Sequence, residues 1–321
     1  MSTLLDIRNL HVCFDTEEGV VQAVTGVSLR LARGEVLGVV GESGCGKSAT
    51  AMSIPRLLPL PAARIRGEIC FEGLDLLRLP VAELRQLRGR RIGMIFQDPM
   101  TSLSPLHRVG EQIAEVVRLH ETVSAAVARE RALSWLAQVG IPDPAARSRA
   151  YPHELSGGMQ QRVMIAMALI LEPDLVIADE PTTALDVTIQ AQVLELLRRL
   201  HRRDSSVLLI THDMGVVWEM CSRIAVMYAG EIVEEAPAQA FFAAPRHPYA
   251  CALLAAMPSA ATRGQPLRAI PGQVPSPLAW PAGCRFRERC PQAFARCAEH
   301  PPLLSCGEGR MARCWLAEGA E

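Results

Sequence analysis

The sequence predicts an α/β fold built around phosphate-binding loops, and three features predict it. They are a glycine-rich loop between a strand and a helix, an apolar strand that ends in two carboxylates, and two segments in which apolar and polar residues alternate. These features occupy residues 36–54, 175–180, and 4–12 with 20–31.

The glycine-rich loop, Gly41–Ser48, has the G-x-x-x-x-G-K-S spacing of a P-loop. Because a strand precedes it and a helix follows it, the loop N–H groups and the helix N-terminus converge on one anion. Lys47 is placed to reach the β and γ oxygens of a nucleotide, and Ser48 to ligate Mg²⁺. A glycine turn without a ligand is the alternative, and this setting disfavours it. The loop residues expected at the nucleotide are Gly41, Ser43, Gly44, Cys45, Gly46, Lys47, Ser48 and Ala49.

Composition sets the outer bounds. The 321 residues predict two or three structural units, and 49% hydrophobic content with a net charge of −1 is typical of a soluble globular protein rather than a general nucleic-acid binder. No apolar run of about eighteen residues is present, and the N-terminus lacks the pattern of a secretory signal. We therefore expect a cytosolic chain, in which the 10 cysteines are thiols or metal ligands rather than disulfides.

The two alternating segments before the P-loop predict an antiparallel pair of strands. Phe14, at the end of the first, is a candidate for stacking on an adenine ring, with simple packing an equal alternative. Further strands are predicted at 67–71 and 91–96, and apolar residues at helical spacing between 101 and 150 predict an inserted helical unit.

A second anion-binding helix start is predicted at Leu155–Arg162 (LSGGMQQR). Ser156 is a favourable N-cap, and Gly157 and Gly158 leave the first helical N–H groups accessible. One chain thus carries two loops suited to phosphate.

The apolar strand ends in Asp179 and Glu180. Asp179 is placed to hold the Mg²⁺ shell and Glu180 to polarise a water for attack on the γ-phosphate. A strand that ends in a solvated acidic turn is the structural alternative, and the upstream P-loop disfavours it. His212 follows the apolar strand 207–210, where a structural histidine is the alternative to a functional one.

The motifs described above, in the order in which they occur along the chain, resemble those of ATP-binding cassette (ABC) ATPases. The resemblance implies a RecA-like P-loop core with an antiparallel β subdomain, an inserted helical subdomain and a Cys-rich C-terminal extension. It implies ATP hydrolysis with Mg²⁺, in which Glu180 is the catalytic base, His212 contacts the γ-phosphate, and Gln97 senses Mg²⁺ and the membrane partner. The motifs are Walker A (41–48), the Q-loop (Gln97), the signature (155–162), Walker B (to Asp179 and Glu180), the D-loop (184–186, with Asp186 at the nucleotide) and the switch (His212).

The match is closer to the ATPases of oligopeptide, dipeptide and nickel importers, and it covers essentially the whole chain. This resemblance implies a peripheral protein on the cytoplasmic face of the inner membrane that powers import through two permease subunits fed by an extracytoplasmic substrate-binding protein. It also implies a second ABC ATPase as partner, often in a heterodimer. The stretches that carry it are QDPMTSLSP (97–105), YPHELSGG (151–158), ADEPTTALDVT (178–188) and HPY (247–249).

Peptides are the solute we expect, with nickel or another solute as the alternative within the family. A non-transport ABC ATPase that acts on nucleic acid is the competing class. It is disfavoured because long heptad arms, a basic face and a second cassette are all missing from the sequence. We expect no nucleic-acid partner.

The proline-punctuated segment beyond Pro245, the Cys-rich tail, is predicted to be irregular, and its five cysteines between residues 284 and 314 suggest soft-ligand metal binding. Nearby arginines are placed to offset thiolate charge. The resemblance implies a [4Fe–4S] cluster held by four of the cysteines, remote from the hydrolysis site, with Cys306 as the spare; zinc and free thiols stay open as alternatives. The four expected ligands are Cys284, Cys290, Cys297 and Cys314.

Three domains are predicted. Residues 1–97 and 173–240 form the ATP-binding core, 98–172 the helical signature subdomain, and 241–321 the C-terminal extension with its cysteine cluster.

Overall fold

The computed structural model describes residues 2–182, 187–201, 205–257 and 269–319. The chain divides into two compact units. The signature sequence and the paired carboxylates lie in unit 1, whereas the P-loop and the Cys-rich tail lie in unit 2. The three-domain division remains a prediction from the sequence. Unit 1 comprises Met1–Leu4, Ala32–Glu35 and Arg78–Ile210, and unit 2 comprises Leu5–Leu31, Val36–Leu77 and Thr211–Glu321.

Strands and helices are interspersed along the described part of the chain. Within the described residues, no helix has the length and apolar character needed to cross a bilayer. In chain order the strands of that part are β1 (Thr3–Thr16), β2 (Gly19–Ala32), β3 (Val36–Val40), β4 (Ala63–Phe71), β5 (Leu74–Asp75), β6 (Ile92–Ile95), β7 (Leu175–Asp179), β8 (Ser206–Ile210), β9 (Arg223–Tyr228), β10 (Glu231–Pro237), β11 (Leu304–Ser305) and β12 (Met311–Ala312). Its helices are α1 (Lys47–Ser53), α2 (Val81–Leu87), α3 (Pro99–Ser102), α4 (Val109–His120), α5 (Ala125–Gln138), α6 (Pro144–Arg147), α7 (Gly157–Leu169), α8 (Val187–His201), α9 (Met214–Met220), α10 (Ala238–Ala243) and α11 (Pro248–Ala255).

In unit 1, three parallel strands lie in the order β6, β7, β8. Every residue of β7 and β8 is buried, which agrees with the near-continuous apolar runs of parallel strands covered on both faces. Ile95 pairs with Ala178, and Asp179 pairs with Ile210. The strands therefore end at one edge, the edge at which ligands bind in open α/β sheets.

The helical pattern predicted between 101 and 150 is confirmed. Helices α3 to α6 occupy that region, and α4 buries the apolar positions of one face, among them Val109, Ile113 and Val117. Helix α7 packs against β6, where a Cβ built on Gly93 would lie 2.5 Å from the Ala168 carbonyl oxygen.

In unit 2, four strands form a sheet in the order β2, β1, β4, β5. Strands β1 and β4 pair antiparallel, with Leu5 opposite Phe71 and Phe14 opposite Ala63. The α/β class and the antiparallel β subdomain predicted from the sequence are confirmed.

The other strands of unit 2, β3 and β9 to β12, form a mixed sheet. Strand β3 is parallel to β9, with Val40 opposite Val226, and β9 is antiparallel to β10. Ala229 and Gly230 join β9 and β10, both with positive φ, as the tight turn of a hairpin requires. The sequence analysis did not predict these two strands.

The Cys-rich tail is part of the same compact unit as the P-loop. Its described residues after α11 are mostly irregular, as predicted, but β12 pairs with both β10 and β11. Buried Glu231 of β10 also binds the tail, through Arg285 at 3.3 Å and His300 Nε2 at 2.9 Å. Strand pairing and ion pairs therefore attach the tail to β10.

We expect Gly93→Ala to destabilise the fold by about 1–3 kcal/mol, because the added methyl group must displace backbone atoms of α7. Chemical unfolding of the purified chain measures the change. Gly157→Ala is the matched control, since a Cβ there meets no atom within 4 Å. Equal stability of the Gly93 variant and the wild type would contradict the packing described.

Candidate nucleotide-binding site

The P-loop of unit 2 begins where the fully buried strand β3 ends. Gly41 (φ 153°) and Gly46 (φ 106°) adopt backbone conformations that suit glycine. A Cβ on Gly41 would lie 2.1 Å from the Met227 carbonyl oxygen, and one on Gly46 would lie 2.3 Å from that of Ala23. The loop thus requires glycine at both positions for two independent reasons.

Lys47, the first residue of α1, connects the end of the loop to its start through hydrogen bonds. Its side chain is buried, and Nζ donates to the carbonyl oxygens of Gly41 at 2.8 Å and Glu42 at 3.0 Å. Ser43 and Gly44 are exposed, and a Cβ on Gly44 would meet nothing within 4 Å. The middle of the loop is therefore open, with the ammonium group anchored beside it.

Cys45, Ser48 and Ala49 are less exposed than the middle of the loop. Cys45 is buried, and burial raises the pKa of its thiol. Its carbonyl oxygen accepts from Gly230 N–H at 2.9 Å, which ties the loop to the β9–β10 turn. Ser48 and Ala49 are half-buried in the first turn of α1.

Sequence reasoning missed the contacts of Glu42. Its carboxylate forms an ion pair with Arg289 of the Cys-rich tail, at 2.7 Å, and its N–H donates to the Tyr249 hydroxyl at 2.9 Å. One arginine of the tail therefore contacts the P-loop directly. No local signal reveals this pair, because the two residues are separated by 247 positions.

In unit 1 the structure brings Gln97 and Glu180 together. Gln97 Nε2 donates to Glu180 Oε2 at 3.2 Å, and Gln97 is exposed. Asp179, at the end of β7, is only 3% exposed. Glu180 has φ 50°, a left-handed conformation that costs roughly 1–2 kcal/mol, and its N–H is held by the Ile210 carbonyl oxygen at 2.8 Å.

The signature loop has the geometry predicted for it. Ser156 caps α7 by accepting from Met159 N–H at 3.4 Å, and it is exposed together with Gly157. Gly158 is half-buried. Gln161 of the same helix donates to the Pro181 carbonyl oxygen, so the helix is fixed to the segment that follows Glu180.

His212 lies in unit 2 and is exposed. Thr211 N–H donates to the Val39 carbonyl oxygen at 3.4 Å, which places this segment beside β3, the strand that leads into the P-loop. Asp213 caps α9 by accepting from Gly215 N–H at 2.8 Å. The residues on either side of His212 are thus held in place, Thr211 by its backbone N–H and Asp213 by its side chain.

The contacts predicted for Phe14 and Asp186 stay predictions. Phe14 is half-buried at the end of β1, next to Ala63 of β4. Asp186 lies outside the described residues.

The four predicted cluster cysteines are electrostatic neighbours. Burial raises the pKa of Cys284 to about 11, and the thiols of Cys297, Cys314 and Cys290 add to the rise. Cys306 instead donates to the Leu304 carbonyl oxygen at 3.6 Å. Within residues 2–182, 187–201, 205–257 and 269–319, no three His, Cys, Asp or Glu side chains have the arrangement of a metal site, so the structure does not support the iron–sulfur prediction.

The arginines of the tail were expected to offset thiolate charge, but four of them pair with carboxylates. The pairs are Arg285 with Glu231, Arg289 with Glu42, Arg296 with Glu318, and Arg313 with Glu231.

Two family models match the chain. The model described as "ABC transporter" matches residues 24–183, and the model described as "Oligopeptide/dipeptide transporter, C-terminal region" matches residues 233–297. The first spans the P-loop, the signature and both carboxylates, and the second includes part of the tail.

Two curated relatives are similar over nearly their whole length. A probable peptide ABC transporter ATP-binding protein, y4tR of Sinorhizobium fredii, is 55% identical over 97% of this chain and 94% of its own. The dipeptide transport ATP-binding protein DppD of Bacillus subtilis is 49% identical over 99% of this chain and 96% of its own. Among solved structures, the dimeric post-hydrolysis state of the ATP-binding cassette MJ0796 bound to ADP and Pi has a TM-score of 0.67, with 29% identity over 73% of this chain and 98% of that one.

Proposed function

Since the chain belongs to the ATP-binding proteins of the oligopeptide/dipeptide family of ABC transporters, we propose that it hydrolyses ATP to power peptide import through a membrane permease. The observation that carries the proposal is the P-loop, whose glycines press against backbone carbonyls while its middle stays open. ATP binding and hydrolysis coupled to transport define the family, and the identity of the solute as a peptide is the more specific part of the proposal.

The P-loop residues bind and orient the nucleotide in this proposal. The N–H groups of the open loop and of the start of α1 receive the phosphates, and the Lys47 ammonium turns from the carbonyls of Gly41 and Glu42 toward the phosphate oxygens. Ser48 and Asp179 supply the oxygen ligands that suit Mg²⁺. Mg²⁺, when bound, neutralises charge on the β and γ oxygens.

Glu180 is the proposed general base, and Gln97 positions it. The Gln97 amide donates to one oxygen of the Glu180 carboxylate, and this carboxylate is proposed to take a proton from the attacking water. His212 is proposed to contact the γ-phosphate, since its neighbours are anchored beside the strand that enters the P-loop. Phe14 is proposed to stack on the adenine ring, and Asp186 to complete the nucleotide contacts.

The proposed partner is a second ABC ATPase. Ser156, Gly157 and Gly158 start α7 with accessible N–H groups, which suit the phosphates of a nucleotide held by the partner's P-loop. The related cassette MJ0796 bound to ADP and Pi is a dimer, which supports this arrangement. A heterodimer on the cytoplasmic face of the inner membrane, with two permease subunits and an extracytoplasmic substrate-binding protein, completes the proposal.

Peptide is favoured as the solute by the names of the relatives and by the C-terminal family match. Nickel or another solute remains the alternative within the family. The decisive experiment is ATP hydrolysis by the transporter reconstituted with its permease and binding protein. Stimulation by di- or oligopeptides supports the proposal, whereas stimulation by nickel alone assigns the alternative.

We expect Lys47→Ala to abolish ATP binding and Glu180→Gln to bind ATP without hydrolysing it, because only the first change damages the phosphate cradle. Equilibrium binding and phosphate release measure the two properties. The Glu180 variant with ATP is expected to form a stable dimer in size-exclusion chromatography. Rapid hydrolysis by that variant would contradict the base assignment, and unchanged binding by Lys47→Ala would contradict the site.

We also propose that the cysteine quartet, Cys284, Cys290, Cys297 and Cys314, binds a [4Fe–4S] cluster. The support is the soft donor set and the electrostatic proximity of the thiols. Binding requires the side chains to rearrange, because no described set has metal-site geometry. Burial raises the pKa of Cys284, Cys290 and Cys314, so loading releases protons.

Anaerobically purified protein is expected to show broad visible absorbance and about four irons per chain. Serine at any quartet position releases the iron, since each supplies one ligand. Cys306→Ser is the matched control and keeps it, because its thiol binds the Leu304 carbonyl oxygen. Stoichiometric zinc without the absorbance, or equal iron loss from the control, would contradict the proposal.

A further inference from the structure

Arg289 of the Cys-rich tail forms a two-point ion pair with the P-loop. Its two Nη atoms donate to the two carboxylate oxygens of Glu42 at 2.7 and 2.9 Å. This bidentate geometry fixes the orientation of both planar groups, which a single contact between point charges does not. The Arg289 side chain is only 5% exposed and that of Glu42 is 28% exposed, so the pair is largely shielded from water.

Other contacts hold the Arg289 guanidinium in place. Its Nε donates to the Pro271 carbonyl oxygen at 2.9 Å, and Nη1 also donates to the Tyr228 hydroxyl at 3.3 Å. The group lies 5.7 Å from the Tyr228 ring centroid and 5.9 Å from that of Phe286. The aromatic rings lower the local dielectric and strengthen the ion pair, and Arg289 is consequently a fixed point for Glu42.

Glu42 is the P-loop residue at which three contacts meet. Its carboxylate binds Arg289, its N–H donates to the Tyr249 hydroxyl at 2.9 Å, and its carbonyl oxygen accepts from Lys47 Nζ at 3.0 Å. The next residues, Ser43 and Gly44, form the exposed middle of the loop. The position of Glu42 therefore sets both the start of the open segment and the place of the Lys47 ammonium.

We infer that Arg289 is a positioning residue of the nucleotide site, whose ion pair with Glu42 holds the P-loop in the conformation that receives the phosphates of ATP. The inference rests on the proposed function, because the P-loop is the site concerned. It gives the tail a role in nucleotide affinity. If Arg289 only fastened the tail, its loss would lower stability and leave the affinity of the folded protein for ATP unchanged.

Equilibrium titration of the purified full-length chain with Mg²⁺-ATP separates the two roles. We expect Arg289→Gln to raise the Kd about tenfold, the change that follows when one charged contact ordering the loop is lost. Glu42→Gln breaks the same pair from the loop side and is expected to have a similar effect. The double variant should lose no more affinity than either single one, because both changes remove one interaction.

Arg296→Gln is the matched control. Arg296 is also an arginine of the tail paired with a carboxylate, that of Glu318, and it stacks on Trp315 at 3.8 Å. The substitution removes the same charge from the same segment, and we expect a Kd within about twofold of wild type, as for an exposed ion pair.

The inference is overturned if Arg289→Gln and Glu42→Gln unfold at lower temperature but bind ATP like the wild type. If Arg289→Gln does not fold, the ATP affinities of Glu42→Gln and of the double variant test the inference instead. The double variant suits this purpose because it leaves no buried charge unpaired. Lys47→Ala separates this failure from failure of the proposed function. A wild-type chain that binds no ATP refutes the proposed function. If Lys47→Ala loses ATP binding while Arg289→Gln and Glu42→Gln keep it, only the positioning role is refuted.

Discussion

The rest of unit 2 is arranged around one steric constraint at the P-loop. Gly41 and Gly46 lie so close to the carbonyl oxygens of Met227 and Ala23 that no Cβ fits at either position. Met227 belongs to β9 and Ala23 to β2, so the loop is held between a strand of each sheet of the unit. This close approach leaves only the middle of the loop open, where its N–H groups are available to an anion.

Strand register provides the corresponding constraint in unit 1. Because Ile95 of β6 pairs with Ala178 of β7, the residues that follow the two strands meet at one edge, and Gln97 reaches Glu180. Helix α7 is joined to the same edge through Gln161. The proposed general base, the amide that contacts it and the start of α7 thus lie at one edge of the unit 1 strands.

The sequence was informative where function depends on a few consecutive residues. The P-loop, the cap of α7 and the acidic end of β7 are all local patterns of glycine spacing, capping and apolar runs, and the structure has these elements at the predicted positions. The contacts of the tail depend on tertiary packing instead. Nothing near Arg289 indicates a partner in the P-loop, and the arginine-rich composition suggested thiolate partners where the structure has Glu42 and Glu231.

We propose that the open segment of the P-loop binds the phosphates of ATP. Hydrogen–deuterium exchange of the purified chain, with and without Mg²⁺-ATP, tests it most directly, because the loop N–H groups must exchange more slowly when phosphates occupy them. We expect strong protection of the peptide that covers residues 41–48. Unchanged exchange in that peptide at saturating ATP would contradict it.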